Sequence, residues 1–585
     1  MLIKEQLNYS LGFVLLAPLE DPEEEGLKEL FLSYSYHLIK VQDIAVDHRS
    51  IVLTVSAPSD LKPKSIARAL KEFACAKFKA NLFEQGCAIQ TKPPISSSSA
   101  LTDYFNELSG FSLNGIKASE EQSAVIEKGL SGQSFKVDAR AGSGKTFTTE
   151  MLFKYMPRKT RILYIVLNER NAKEAMDRFG GFCDICTFHA WVKNNYLSYN
   201  SVLNAKFKLK QGQGPGYDQI AQILSFSSIQ NINHGFLYKA VMKVLNAFMF
   251  SDSKEIDLDF VSDNANGYDS ISSDLLCKLA NKLLKEIVSN PDVPLQHDMY
   301  MKLFQLSESE MPYDLIAIDE AQDQNPCALS IIERQKAQKI YIGDSNQGIN
   351  GFRGAVNVFK ILSAYDTLYL TESYRFGTQL AEPANRVLGM LGLEQRELIK
   401  AKGGAACSFD INKPYAYIAR TNASCFSYAI RAAEEEGKRI CFLGANRDFF
   451  SPVYDFYYLL NGNKEKIKDP QLKKFDWDQY SKFMEEAGDS DNYKYYKFVD
   501  QHRNQSLAKL NSIMAKSVEL INADVIILTG HKSKGLEFDQ VLVASDFKID
   551  GENLKDEDLM LLYVALTRAR RSLKVEGSLR VKLEY

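Results

Sequence analysis

The sequence predicts an α/β protein with two parallel-sheet domains, each interrupted by a helical insertion, behind a small α+β domain. Three observations lead to this prediction. Short apolar strands alternate with loop and helix segments from residue 105 onward, two polar helical stretches interrupt that alternation, and the first 95 residues follow a different order. The length of 585 residues is enough for about three to five domains.

Residues 1–95 are predicted to form a separate ferredoxin-like unit. A strand at 12–18, a helix at 21–34, strands at 38–46 and 50–58, a helix at 62–83 and a last strand give the order βαββαβ. The Pro/Ser-rich stretch PPISSSSALTD, residues 93–103, is typical of a flexible linker, and we place the linker at residues 96–104. We expect an adaptor or substrate-reading role for this unit, with a plain stabilising domain as the alternative.

The rest of the chain is predicted to form two α/β domains. Residues 105–191 and 306–365 make the first, around the strands FKVDA, RILYIVL, YDLIAID and KIYIGD, with residues 192–305 as its helical insertion. Residues 366–449 and 518–585 make the second, around TLYLTE, YAYIAR, RICFLG, DVIILTG and QVLVASD, with residues 450–517 as its helical insertion.

Composition narrows the class of protein. Apolar residues are 45% and charged residues 25% of the chain, and the formal net charge is −3, so a polyanion would have to bind in a local basic groove. Nine scattered cysteines, with Cys183 and Cys186 as the one CxxC pair, indicate reduced thiols; a bland pair entering a strand is favoured over zinc or redox chemistry. No apolar run reaches membrane-helix length and the N-terminus has no secretory layout, so we expect a cytoplasmic protein.

A phosphate cradle is predicted where the strand FKVDA ends. The segment ARAGSGKT matches the Walker A pattern with alanine in place of the first glycine, and it leads into a helix-like run. Backbone N–H groups of its small residues would surround a phosphate, Lys145 would reach the β- and γ-oxygens, and the Thr146 hydroxyl would ligate Mg²⁺. The residues of the cradle are Ala139, Arg140, Ala141, Gly142, Ser143, Gly144, Lys145 and Thr146.

Two acids at the end of the strand YDLIAID complete a predicted NTP hydrolase site. Asp319 at the strand tip would hold the magnesium, directly or through water. Glu320 would polarise the attacking water as a general base. A pair of solvated acids that merely ends a strand is the alternative, and it is disfavoured because the pair follows a Walker A motif by one inserted domain.

Eight segments in order resemble the UvrD/Rep branch of superfamily 1 helicases. They are ASEEQSAVI, ARAGSGKT, TFHAW, IDEAQD, GDSNQGINGFRGA, ESYRFG, TGHKSKGLEFDQV and LLYVALTRAR, and the resemblance covers residues 110–580. Within that branch, SYRFG, FRGAVN and HKSKGLEFD are most similar to the F-box DNA helicase group. No F-box is visible in residues 1–100, so a ubiquitin-ligase role is not implied.

The resemblance implies two RecA-like P-loop domains with ATP and Mg²⁺ as cofactors. It implies that Gln122 reads the adenine edge, that Tyr374 stacks on the base and that Glu537 contacts the ribose. It further implies that Gln347 senses the γ-phosphate and that Arg375 and Arg568 reach it from the second domain.

On the DNA side, the resemblance implies contacts with a single strand. Phe352 takes the place of a tryptophan that wedges between bases, a stacking worth about 1–3 kcal/mol per base, and Arg353 follows it. Further implied strand contacts are Thr187, Phe188, His189, His531 and Lys532. For Phe188 a place in the core is the alternative.

The expected activity is that of a motor. ATP hydrolysis drives translocation along single-stranded DNA and strand separation at single-strand/double-strand junctions, by family analogy in the 3′→5′ direction, in repair, recombination or genome defence. One alternative is a translocase that strips proteins from DNA without unwinding; another is a nucleotide-gated scaffold that acts through residues 1–95. We expect a monomer, with residues 1–95 as the contact for any protein partner.

The segment DHRSIVLTVSAPSDLKPKS also faintly resembles small transposases that cut single-stranded DNA with a His-x-His metal pair. Here Asp47-His48-Arg49-Ser50 lacks the second histidine, so no nuclease is expected.

Overall fold

The computed structural model describes residues 6–14, 35–36, 39–46, 50–58, 70, 88–91, 111–113, 116–157, 159–351, 354–444, 446–487, 491–551 and 554–583. These described residues cluster into two compact units. Unit 1 has the bounds Met1–Asp138, Lys145–Gly343 and Arg353–Leu370, and unit 2 has the bounds Ala139–Gly144, Asp344–Phe352 and Thr371–Tyr585.

The N-terminal part of unit 1 carries an antiparallel sheet in the order β2-β3-β4-β1-β5. The strands are β1 Gln6–Val14, β2 Ser35–Tyr36, β3 Ile39–Val46, β4 Ser50–Pro58 and β5 Ala88–Thr91. The predicted strands at 38–46 and 50–58 are confirmed. The first strand was predicted too late, because all nine residues of β1, beginning at Gln6, pair with β4. The predicted helices lie outside the described residues, apart from Leu70, which is helical.

A six-stranded sheet in the order β10-β9-β11-β12-β8-β13 forms the centre of unit 1. After a short hairpin of β6 Ser112–Leu113 and β7 Ile116–Lys117, its strands are β8 Phe135–Ala139, β9 Ile162–Val166, β10 Asp184–Thr187, β11 Leu315–Ile318, β12 Gln338–Gly343 and β13 Thr367–Leu370. The five strands from β10 to β8 pair in parallel. Their carboxyl ends therefore meet at one edge of the sheet, which is where ligands bind in folds of this kind.

Strand β13 corrects one part of the prediction. Its sequence, TLYL, was assigned to the second α/β domain, but it joins the first sheet beside β8. An apolar run identifies a strand without identifying its neighbours, because pairing depends on the connections between strands.

Many helices beside this sheet, and several in the insertion that follows β10, begin at a side-chain cap. Ser119 and Gln122 form a capping box at one helix start, and Asn325 caps another before Pro326. The helices around the sheet are Glu120–Leu130, Lys145–Tyr155, Glu169–Phe179, Phe188–Val192, Pro326–Glu333 and Val358–Ile361. The helices of the insertion are Ser201–Leu209, Tyr217–Ile223, His234–Phe250, Leu258–Asn264, Ser273–Ser289 and His297–Leu306.

A five-stranded parallel sheet in the order β17-β18-β16-β19-β20 forms the centre of unit 2. After the short parallel pair β14 Glu372–Ser373 and β15 Lys400–Ala401, its strands are β16 Tyr415–Ala419, β17 Ile440–Phe442, β18 Val525–Thr529, β19 Phe538–Val543 and β20 Ala569–Val575. Strand β20 begins within the LTRAR segment, at Ala569, and was not predicted. The predicted α/β class, with parallel sheets and helices, is confirmed.

The helices of unit 2 fall into two groups. Those around the sheet are Thr378–Met390, Asn422–Ile430, Gly530–Ser533, Asp556–Leu566 and Gly577–Lys582. Those of the insertion after β17 are Asn446–Leu460, Trp477–Ala487, Asp491–His502 and Ser506–Ala515. Within the described ranges, no helix of either unit has the length and apolar character that a membrane crossing requires.

Candidate nucleotide and DNA site

The phosphate loop has the backbone that its glycines permit. Gly142 and Gly144 adopt φ values of +76° and +79°, a region that residues with a side chain rarely occupy. A Cβ on Gly142 would lie 2.5 Å from the Cβ of Arg375 and 2.6 Å from the Oγ of Ser373. Since the Tyr374 N–H also donates to the Gly142 carbonyl at 2.9 Å, the loop and the segment 373–375 touch at backbone distance.

We expect the substitution Gly142→Ala to destabilise the protein by about 1–3 kcal/mol, because it adds both crowding and backbone strain. Gly132 is a matched control, since its φ is +73° but no atom lies within 4 Å of a Cβ built there. Thermal unfolding of both variants measures the difference. Equal losses of stability in Gly142→Ala and Gly132→Ala would contradict the close packing of the loop.

Three charged side chains of the predicted site meet in unit 1. The Lys145 Nζ lies 3.5 Å from a carboxylate oxygen of Glu320. The Glu320 backbone N–H donates to the Asp319 carboxylate at 3.0 Å, and Lys145 acts electrostatically on Asp319. Lys145 begins the helix after the loop and the two acids follow β11, so parallel strand order brings these chain segments to the same edge.

Glu320 has a strained backbone. Its φ is +50°, in the left-handed region, where a residue other than glycine costs on the order of 1–3 kcal/mol. Its second carboxylate oxygen accepts a hydrogen bond from the Nε2 of Gln322 at 2.5 Å, and Gln322 is buried. Two side chains therefore hold the Glu320 carboxylate in one orientation, which is what a general base needs.

Asp319 lies in an environment that opposes its charge. Burial, and next the neighbouring Glu320 carboxylate, raise the pKa of Asp319 from 3.8 to about 6, although Lys145 acts in the opposite direction. The buried hydroxyl of Tyr164, on β9, is hydrogen-bonded to Asp319. A bound cation would relieve the repulsion between the two carboxylates.

We expect Asp319→Asn to raise the thermal midpoint at pH 8 by about 2–4 °C. A carboxyl whose pKa is higher in the folded than in the unfolded chain holds its proton more tightly when folded. Its ionisation therefore lowers stability as pH rises from about 4 to about 6, and asparagine removes that loss. The gain should shrink at pH 4.

Asp314 is the matched control for this pH dependence, because its hydrogen bonds with Arg161 lower its pKa to about 2. Asp314→Asn should have the opposite sign at pH 8, with a small effect since the pair is exposed. A midpoint for Asp319→Asn that equals that of the wild type at both pH values would contradict the raised pKa.

The donors at this place suit a magnesium-bound triphosphate. The Thr146 hydroxyl, next to Lys145 at the helix start, and the Asp319 carboxylate are the hard oxygen ligands that Mg²⁺ takes. The two glycines with positive φ give the loop the shape in which backbone N–H groups surround a phosphate. The chain's own residues therefore fit ATP and Mg²⁺.

Gln122 has a structural role that its motif did not reveal. The side chain is buried and its oxygen accepts from the Ser119 N–H at 3.0 Å, while the Gln122 backbone N–H donates to the Ser119 hydroxyl at 3.3 Å. The adenine contact implied for Gln122 remains a prediction, and the amide nitrogen is the part of this side chain suited to it.

The three residues of the TFHAW segment predicted to contact DNA have different environments in the structure. Thr187 caps the helix Phe188–Val192 by accepting from the Ala190 N–H at 3.2 Å. Phe188 is 6% exposed and packs in the core of unit 1, so the structure favours the core alternative over a DNA contact. His189 is partly exposed and belongs to a cluster described below.

Asp344, at the end of β12, is the centre of a buried network in unit 2. Its carboxylate accepts from Arg140 of the phosphate loop at 3.4 Å, from the Tyr563 hydroxyl at 2.9 Å and from the Gln347 side chain at 2.8 Å. The Ala141 N–H donates to the same Tyr563 hydroxyl at 3.2 Å. Neither Asp344 nor Tyr563 was singled out in the sequence, although both lie inside quoted motifs.

The implied sensor and one implied arginine also meet in unit 2. The Arg568 guanidinium lies 3.4 Å from the Gln347 side-chain oxygen. It donates as well to the carbonyls of Val564 at 2.8 Å and Leu536 at 3.3 Å, and it is 2% exposed. The Lys534 Nζ donates to the Gln347 carbonyl at 2.6 Å. Gln347 is thus linked to two motifs of the C-terminal half.

Arg375 and Glu537 form an ion pair, and Arg375 also donates to the Thr567 carbonyl at 2.9 Å. Tyr374 has 47% of its surface exposed, with its hydroxyl donating to Glu372 at 2.9 Å. An exposed ring held at its hydroxyl suits the base stacking implied for Tyr374.

Of the other predicted DNA contacts, the structure describes Lys532 and His531 only. Lys532 lies with its Nζ 4.8 Å from the centre of the Phe449 ring, and His531 is exposed on the same short helix. Phe352 and Arg353 lie outside the described residues.

Among the residues that the structure describes, the CxxC pair has no sign of metal or redox chemistry. Burial raises the pKa of Cys183 to about 12 and that of Cys186 to about 11, so both are protonated thiols at neutral pH, as expected for a pair that merely enters a strand.

Two family models match this chain. The N-terminal domain of the UvrD/REP helicases matches residues 118–368, and the UvrD-like helicase C-terminal domain matches residues 295–577. Together the two ranges contain all eight motifs described above.

Named relatives are similar over most of the chain. F-box DNA helicase protein 1 of Schizosaccharomyces pombe is 29% identical over 510 residues, which are 77% of this chain and 56% of that protein. F-box DNA helicase 1 of Gallus gallus is 28% identical over 518 residues, which are 80% of this chain and 50% of that protein. The chain thus spans about half the length of the curated relatives it matches.

One solved structure, a putative transposase from Deinococcus radiodurans R1, is 14% identical and matches 18% of this chain and 94% of its own. Its TM-score of 0.16 is too low to support an argument about fold.

Proposed function

Because this chain belongs to the UvrD/Rep helicases, we propose that it is an ATP-dependent single-stranded-DNA translocase and 3′→5′ DNA helicase. The observation that carries the proposal is the cluster of Lys145, Asp319 and Glu320, whose side chains have the charges and contacts that phosphoryl transfer to water requires. The substrate we propose is single-stranded DNA and its junctions with duplex.

In the structure Lys145 is paired with Glu320, and a bound triphosphate would replace that pair with a contact between Lys145 and phosphate. The ammonium that binds phosphate oxygens is paired with the carboxylate that would accept the proton of water, at 3.5 Å. A triphosphate that takes the Lys145 ammonium would compete with Glu320 for it, which leaves the carboxylate available as a base. Gln322 keeps the carboxylate oriented during that exchange.

The other residues have supporting roles in this proposal. Thr146 and Asp319 would hold magnesium, which neutralises charge on the β- and γ-phosphates when it is bound. Tyr374 supplies a ring for the base, and Glu537 a carboxylate for the ribose. Arg375 and Arg568 supply guanidinium groups that stabilise charge on the transferring phosphoryl group.

A strand-displacement assay tests the proposal. Duplexes with a 3′ single-stranded tail, a 5′ tail or no tail are incubated with the full chain and ATP, with Lys145→Ala as the inactive control. The proposal predicts release of the strand from the 3′-tailed duplex alone. Release from the 5′-tailed duplex alone would contradict the polarity.

The same assay separates unwinding from protein stripping. A 3′-tailed duplex that is not unwound, while streptavidin is removed from a biotinylated single strand with ATP, would show a translocase without helicase activity. Failure of both reactions would overturn the motor altogether and leave the nucleotide-gated scaffold. The role of residues 1–95 stays a prediction.

A further inference from the structure

Two histidines, an aspartate and a tyrosine meet in unit 1 at a place that the proposed ATP chemistry does not use. His189 comes from the helix Phe188–Val192; the others, His297, Asp298 and Tyr300, come from the first turn of the helix His297–Leu306. One ligand atom from each histidine and from the aspartate lie within 4.8 Å of one another. The His189 Nε2 is 3.5 Å from an Asp298 carboxylate oxygen.

The Tyr300 hydroxyl connects the two imidazole rings. Its oxygen lies 3.1 Å from the His189 Nδ1 and 2.9 Å from the His297 Nδ1, and it can donate its own proton to the His189 carbonyl at 3.5 Å. With its proton used there, the oxygen has two lone pairs for two Nδ1–H donors. That arrangement places a lone pair on the Nε2 of both rings, the form in which histidine binds a metal.

We propose that His189, His297 and Asp298 form a binding site for one divalent transition-metal ion of the Zn²⁺ type. Two imidazoles and one carboxylate are a usual ligand set for such ions, with the remaining positions taken by water. Tyr300 is a positioning residue, because its hydroxyl contacts the Nδ1 of both rings and so restrains their orientation.

To bind one Zn²⁺ ion, the three ligand atoms would need to move only slightly closer together. Zn–N and Zn–O distances of about 2.0–2.2 Å place tetrahedral ligands roughly 3.3 Å apart, compared with the present limit of 4.8 Å. His297 is exposed and Asp298 partly exposed, so both side chains have room to move. A bound ion would join the helix that carries His189 to the helix that carries the other two ligands.

Metal titration of the full chain tests this proposal without nucleotide or DNA, so its outcome is independent of the helicase proposal. The chain is freed of metal with a chelator and titrated with Zn²⁺ against a chromophoric chelator. We expect one Zn²⁺ per chain, with an affinity at least about 10-fold weaker in His297→Ala and in Asp298→Asn, and about 10–100-fold weaker in Tyr300→Phe. His234→Ala, at the start of another helix of the insertion, should leave the affinity unchanged.

Cobalt distinguishes this site from the cysteines. The Co²⁺ form of the wild type should show visible d–d absorption without thiolate charge-transfer bands, and His297→Ala should abolish that absorption. Circular dichroism checks that each variant is folded. A chain that binds no Zn²⁺, an affinity equal in wild type and His297→Ala, or thiolate bands in the Co²⁺ spectrum would each overturn the proposal.

Discussion

Replacing Glu320 with glutamine is expected to lower kcat for ATP hydrolysis by about 10²–10⁴-fold, the usual contribution of a general base. The amide keeps the size of the side chain and can still accept from Gln322, but it cannot take a proton from water. Nucleotide binding should not weaken, because loss of the negative charge removes the partner that competes for Lys145. A fluorescent ATP analogue measures binding, and phosphate release measures kcat.

Two further variants serve as controls for the effect of Glu320→Gln on hydrolysis. Lys145→Ala should lose nucleotide binding together with hydrolysis, since the ammonium is the proposed phosphate ligand. Glu310→Gln removes an exposed carboxylate whose ion pair with Lys336 lies on the surface, so it should hydrolyse ATP at the wild-type rate. Hydrolysis by Glu320→Gln within a few-fold of wild type would contradict the role of Glu320 as the base.

Replacing Asp344 with alanine is expected to destabilise the protein by about 3–5 kcal/mol, the cost of leaving a buried charge without its partner. Asp344 and Arg140 are both almost completely buried, and Asp344 also accepts from Tyr563 and Gln347. The substitution therefore leaves several buried donors without this acceptor. Scanning calorimetry of the full chain measures the shift in the unfolding transition.

The matched control is an exposed pair of the same chemistry in the same unit. Asp524 and Arg439 lie 2.8 Å apart with more than a third of each side chain exposed, so Asp524→Ala should change stability by about 1 kcal/mol at most. Asp344→Ala should also weaken ATP binding, because Arg140 and Ala141 belong to the phosphate loop. Comparable transitions for Asp344→Ala and Asp524→Ala would show that the network contributes no more than a surface ion pair.

The sequence was sufficient to predict that Lys145, Asp319 and Glu320, the proposed catalytic residues, lie together in unit 1. A Walker A motif lies between a strand and a helix by its nature, and the acids of IDEAQD end another strand of the same parallel sheet. The carboxyl ends of parallel strands share an edge, so the contact between Lys145 and Glu320 follows from two local motifs and one rule of topology.

Other features depended on contacts that a local pattern does not contain. Tyr164 is one aromatic residue in an apolar strand, and only the neighbouring strand β11 gives its hydroxyl the Asp319 carboxylate as a partner. The Asp344 network joins three chain segments that are distant in sequence, around Arg140, Asp344 and Tyr563. The motif implied a DNA contact for Phe188, whereas the residue packs in the core of unit 1. The sequence could not decide between the two, because an aromatic residue is suited both to a core and to a DNA surface.

The measurement that bears most directly on the proposed motor is the rate of ATP hydrolysis by the full chain with and without a single-stranded oligonucleotide. If the cluster of Lys145, Asp319 and Glu320 powers movement along DNA, the oligonucleotide should raise the rate severalfold, and Glu320→Gln should abolish both the basal and the stimulated rate. An equal rate with and without oligonucleotide would contradict the account, even if the chain hydrolyses ATP.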